Sequence, residues 1–245
     1  GLVLTYDYTS SGVIPGVQDR LASVTYSTVP PTSQSYLYDD ERFPFALTGL
    51  IDENGNRFAT WKYDEAGRAI SSEHAGANDL TTVVYHDDGR RTVTTALSLS
   101  EVYHFDTIQG VPKIVRIDRL ATETTAAASR EFGYDANGFL ASATDWKTNL
   151  TTFVNSPDGL PLIINQAVGT PEFRSFTNIF HGEFRLPTRM FLPGRTVDFG
   201  YDDKGNLLSR TETDTETGRV RGWTNTFDAL GYLLTSTGPR TDLVA

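Results

Sequence analysis

The chain has 245 residues, with 31 Asp and Glu against 21 Lys and Arg, a net charge of −10 and no cysteine. That balance argues against a nucleic-acid surface, which needs clustered Lys and Arg, and the missing cysteines exclude disulfides and thiolate metal sites. No apolar run of about twenty residues could span a membrane as a helix, and plentiful Thr and aromatics with a single Met favour short strands.

In chain order, residues 1–36 read as weak strands at 2–8 and 21–26, with loops at 10–19 and around Pro30-Pro31. From Tyr36 the pattern becomes regular. Residues 47–76 hold two D-x-x-G turns, Asp52 to Gly55 and Asp64 to Gly67, flanking a strand whose Ala59, Trp61 and Tyr63 share one face. In each turn the Asp side chain can accept from the backbone two residues on, and the Gly supplies the positive φ. The segment therefore reads as strand, turn, strand, turn, strand. Further on, 91–97 and 111–117 alternate as strands, and 118–129 is read as a surface excursion. Residues 130–170 hold two clear units, and 171–200 are less regular, with strands at 173–180 and 188–192.

The same unit recurs. Aligned on an aromatic and the Gly four residues later, the copies are Tyr63 to Gly67, Tyr85 to Gly89, Tyr134 to Gly138, Tyr201 to Gly205 and Phe227 to Gly231. Within them Asp64, Asp135, Asp202 and Asp228 open the turns. A degenerate copy, Asn155 to Gly159, keeps Pro157-Asp158-Gly159 but has lost the aromatic. Spacings of 22 residues (Tyr63 to Tyr85), 21 (Tyr134 to Asn155) and 26 (Tyr201 to Phe227) leave room for two strands and two turns per unit. The repeated aromatics are expected to pack as a ladder between hairpins. The expected fold is an all-β array of antiparallel β-hairpins in a curved, spiralling sheet.

These residues resemble the YD repeat of the Rhs family. The pattern is Tyr-Asp-x-x-Gly-(Arg/Asn)-Leu followed by a Ser/Thr-rich strand, as in Asn137 to Asp145 and Gly205 to Thr211. The likeness covers 37–245 as the array proper, with 1–36 matching weakly. It implies a fragment of a larger secreted or cell-surface bacterial protein, a strip of a β-shell that encloses a C-terminal toxin domain. The implied partners are neighbouring repeats of the parent protein, the enclosed toxin and a secretion-system component.

Candidate chemistry is sparse. His74, His86, His104 and His181 form no metal motif, and His181-Gly182-Glu183 lacks the cysteines a zinc deaminase requires. The pairs Asp39-Asp40, Asp87-Asp88 and Asp202-Asp203 lie in or beside turns, where Asp serves the backbone. The Asp52 and Asp202 loops place Gly fourth rather than sixth, unlike an EF-hand. Glu212, Asp214 and Glu216 alternate, so their face is expected to meet solvent or a cation. No catalytic residue, metal or cofactor is assigned. Two alternatives remain: an adhesin or carbohydrate-binding module using exposed aromatics, and a repeat-scaffold hydrolase or lyase.

Overall fold

The computed structural model describes residues 1–239. It is all-β, with twenty strands and, among the described residues, one short 3₁₀ turn at Ala75–Ala77. The chain forms two compact units: Gly1–Phe105 with Ile117–Ala128, and Asp106–Arg116 with the residues from Ser129 onward. The hairpin β9 (Ser100–Ile108) and β10 (Val111–Arg119) is shared between them.

The first unit is a meander of β1 (Leu4–Thr9), β2 (Arg20–Tyr26), β3 (Thr32–Leu37), β4 (Gly49–Ile51), β5 (Arg57–Tyr63), β6 (Ala69–His74), β7 (Asn78–Tyr85), β8 (Arg91–Thr94) and the base of β9. Each strand pairs antiparallel with the next. The weakly patterned residues 1–36 belong to this sheet. The loop expected around Pro30-Pro31 is short, and β3 begins directly after it at Thr32. Pairing of Thr32 to Ser35 with β2 overrides the Ser/Thr-rich loop signal.

The second unit continues with β11 (Ala128–Tyr134), β12 (Leu140–Thr144), β13 (Leu150–Asn155), β14 (Pro161–Gln166), β15 (Arg174–Phe180), β16 (Pro187–Leu192), β17 (Arg195–Tyr201), β18 (Leu207–Asp214), β19 (Val220–Phe227) and β20 (Leu233–Thr237). These ten strands also pair in sequence order, all antiparallel.

Directly opposed residues share a face, and the two faces differ. On one, Phe153, Ile164, Phe176, Val197, Phe199 and Trp223 gather; on the other, Thr152, Thr177, Thr196, Thr211, Thr213 and Thr224 dominate. The apolar face has no second layer. Among the described residues only Val24, Ala59, Ile117 and Val197 are buried apolar positions. The chain exposes 16080 Å², against roughly 10,800 Å² for a compact folded monomer of this mass. Cohesion therefore rests on ladders and on local devices at the turns.

Candidate functional site

The devices repeat. In the second unit every hairpin from β11 to β20 that begins with an odd-numbered strand closes at the same end of the meander. There, Asp135, Asp202 and Asp228 each accept two backbone N–H bonds on Oδ1, from the residues two and four further on, at 2.8–2.9 Å. Asp52 and Asp64 do the same in the first unit at 2.8–3.0 Å. The Gly N–H returns to the opening carbonyl, as in Gly138 to Asp135 at 2.9 Å. Gly55, Gly67, Gly89, Gly138, Gly159, Gly205 and Gly231 all sit at φ between +74° and +86°. The register slips at Tyr63, Tyr134, Tyr201 and Phe227, which makes each a type I turn with a glycine bulge.

Asp158 sits two residues too late to open its turn. Ser156 opens it, its Oγ accepting from Leu160 N at 3.0 Å. In the Tyr85 unit His86 opens the turn, while Asp88 binds Arg90 N and Nε at 3.1 and 2.6 Å. A further turn, unmarked by either motif residue, fills the irregular stretch 171–200. His181 Nδ1 accepts from Glu183 N and Phe184 N at 3.2 and 3.3 Å, and Arg185 takes the left-handed position at φ 57°. The 46 residues between Asn155 and Tyr201, two periods long, were the available signal. At the opposite end, Asp145 opens another turn, with Thr148 at φ 67° in the glycine place.

The His181 reading makes a direct prediction. His181→Asp restores the usual opener and should unfold at or above the temperature of the parent. His181→Ala should lose about 1 kcal/mol, as a helix or turn cap does, read from urea unfolding.

Successive turns lean on one another. A Cβ on Gly159 would lie 2.5 Å from the ring of Phe139 in the preceding turn; Phe184 sits 3.5 Å from the same point on Gly205, and Asn206 3.7 Å from that on Gly231. Side chains also bridge neighbours. Gln109 Nε2 donates to Ala136 O at 2.6 Å, Arg185 to Asp158 O at 2.6 Å and Lys204 Nζ to Ala229 O at 2.7 Å. Phe43 packs on Gly67 likewise in the first unit.

Among the described residues no ring pair joins the repeat aromatics. They cap carbonyls instead. Tyr63, Tyr85, Tyr134 and Tyr201 donate their hydroxyls to Leu47, Ala69, Ile114 and Pro187 O at 2.8–3.1 Å. Leu47, Ala69 and Pro187 each lie two residues outside the end of a strand ladder, whose terminal pairs are Gly49 with Thr60, Ser71 with Thr82 and Arg189 with Asp198. The bulge leaves that carbonyl without a strand partner, and an unmet buried acceptor is costly. Burial raises the Tyr63, Tyr134 and Tyr201 phenols above 10.0, so they remain donors.

Where the aromatic is Phe, an Asn two residues earlier takes over. Asn178 Nδ2 donates to Pro161 O at 2.8 Å ahead of Phe180, and Asn225 Nδ2 to Leu207 O at 2.9 Å ahead of Phe227. Where the aromatic is lost, Asn155 itself caps Leu140 O at 2.9 Å and holds Asp135 Oδ2 at 3.2 Å. Each carbonyl again lies two residues beyond its ladder.

The turn carboxyls titrate low. Bonds from Arg68 N, the Asn149 amide, the Asn206 amide and Thr217 N, respectively, lead in holding Asp64, Asp145, Asp202 and Asp214 below 3.8. For Asp135 burial pushes upward, but Phe139 N and the Asn155 amide outweigh it. A carboxyl depressed in the folded state stabilises fully above its unfolded value and loses that contribution as pH falls through the folded one. We predict unchanged thermal stability from neutral pH to about 5 and a decline below 3.8, followed by circular dichroism.

Among the described residues no three His, Asp or Glu side chains converge as metal ligands. His104 pairs with Asp118 at 2.8 Å and His74 with Asp79 at 3.1 Å. In the acidic stripe 212–216, expected to meet solvent or a cation, Asp214 and Glu216 are exposed and Glu212 meets arginine side chains. Glu212 is largely covered and paired with Arg210 and Arg195, and Asp214 accepts from Thr217 N at 2.7 Å. Arg210 comes from the same strand as Glu212, and Arg195 of β17 lies opposite Asp214 in the register.

Comparison with solved structures gives the fold a precedent. The chain superposes on the crystal structures of TcdB2-TccC3-Cdc42 (TM-score 0.67), TcdB2-TccC3 (0.66) and TcdB2-TccC3 without its hypervariable C-terminal region (0.65). The chain has the fold of a TcdB2-TccC3 segment. Identity is 14% in each, over 84–89% of this chain. TccC3 is itself an Rhs/YD-repeat protein, the kind the repeated Tyr-Asp-x-x-Gly units resemble. The chain spans only 12–13% of the length of those structures. No family model and no curated protein matches the sequence.

Proposed function

We propose that this chain is a non-catalytic structural segment of a larger exported Rhs-type protein, a strip of a β-shell that encloses a toxin domain. The observation that carries it is that each unit is a single-layer meander with almost no core, one ending in the apolar edge strand β1 and the other in β20. Among the described residues β1 pairs only with β2 and β20 only with β19, while Tyr6, Tyr8, Leu233 and Leu234 stay exposed. An isolated sheet of this kind invites edge-to-edge aggregation, and closure into a shell removes the edges. The shared fold with TcdB2-TccC3 supports the reading. Its partners are then neighbouring repeats, the enclosed toxin and a component of the export machinery.

The test is protection. A protease-cleavable reporter placed behind the array in the parent protein should resist added protease, and become cleavable when Gly159→Val breaks the turn column. Equal cleavage in both proteins contradicts containment.

A further inference from the structure

One feature of the second unit serves neither the turns nor the carbonyl caps. At the end of the meander opposite the Asp-x-x-Gly turns, a cleft of 640 Å³ opens on the apolar face. Its walls are the start of β15, the β16–β17 turn and the β18–β19 turn, locked together where Thr215 N donates to Gly194 O at 3.0 Å. Phe176 and Leu192 form an apolar floor, and Arg174, Arg195, Arg219 and Arg221 surround it.

The charges do not cancel. Glu212 and Asp214 also line the cleft. Glu212 is engaged by Arg210 and, at 3.7 Å, by Arg195. Asp214 is engaged by Glu216 N, Thr217 N and the Thr217 hydroxyl. The guanidinium groups of Arg174, Arg219 and Arg221 meet no acceptor among the described residues. Four arginines against two carboxylates leave the cleft near +2, in a chain of net charge −10.

We propose that this cleft binds an acidic peptide segment, two neighbouring carboxylates held by Arg174, Arg219 and Arg221 and an adjoining apolar side chain seated on Phe176 and Leu192. Guanidinium forks match carboxylates two bonds at a time, and an apolar floor beside a few convergent polar groups is the ordinary make-up of a ligand site. The residual charge suits about two carboxylates. A nucleic acid would bring more negative charge than the cleft offsets, against an acidic surface that repels it.

The inference stands apart from the shell reading and is tested separately. The probe is a fluorescein-labelled Gly-Asp-Asp-Phe-Gly peptide, followed by anisotropy at low salt with the whole chain. The Asp-Asp peptide should bind, its Asn-Asn counterpart should bind at least about tenfold more weakly, and added salt should release it. Arg174→Gln and Arg221→Gln should each weaken binding about tenfold. Both side chains are exposed and lack intramolecular partners, so circular dichroism should not change. Arg90→Gln removes the same charge outside the cleft and should bind like the parent. Equal binding by the cleft variants, or by the Asn-Asn peptide, overturns the site. Tighter binding of an oligogalacturonate than of the acidic peptide overturns the peptide assignment.

Discussion

Gly159→Val should be the most damaging single substitution in the second unit, costing about 2–5 kcal/mol in urea unfolding. Two effects add. A left-handed conformation costs a residue with a Cβ about 1–2 kcal/mol, and more when it is β-branched; Gly159 sits at φ 83°. The new side chain would also drive into the Phe139 ring, 2.5 Å from where the Cβ must be placed, and overpacking of this sort costs about 1–3 kcal/mol. Gly55→Val separates the two. Gly55 has φ 79° but nothing within 4 Å, so only the backbone term of about 1–2 kcal/mol should appear. Phe139→Ala combined with Gly159→Ala should recover part of the loss of Gly159→Ala, because the ring that blocks the Cβ is gone. Equal effects at Gly55 and Gly159 would mean that turn-to-turn packing contributes nothing.

The second large effect lies at Asn178. Asn178→Val should cost about 2–3 kcal/mol, since it leaves the Pro161 carbonyl unmet in a site where Asn178 is only 8% exposed. Adding Phe180→Tyr should restore most of the loss. The position three residues beyond the end of the ladder is where Tyr63, Tyr85 and Tyr201 supply the same bond. A double variant no more stable than Asn178→Val would show that the two donors do not exchange roles. Tyr201→Phe, which has no Asn at Phe199 to replace it, should lose about 1–2 kcal/mol by the same measurement.

The architecture was legible because its signals are local. Asp-x-x-Gly between alternating runs specifies a turn within five residues, and five copies in phase specify an array. What escaped was either substituted or remote. His181 and Arg185 together build a turn that neither residue type announces, since His replaces a carboxylate acceptor and Arg pays no visible tribute to its positive φ. Ser156 rather than Asp158 opens its turn, because hydroxyl and carboxylate acceptors are interchangeable there. The caps were hidden for another reason. Tyr201 meets a carbonyl 14 residues away and Asn225 one 18 residues away, in different side-chain chemistries. Only the register brings out that Tyr at one place and Asn-x-Phe at another do the same work. The arginine cleft was likewise invisible, since Arg174, Arg195 and Arg221 come together only through four ladders.

The most direct test of the structural role is a cryo-EM reconstruction of the parent protein that carries this array. The account predicts β1 and β20 each hydrogen-bonded to a further strand, in a continuous wall around an enclosed domain. A reconstruction in which both edges stand free and the array surrounds nothing would contradict it.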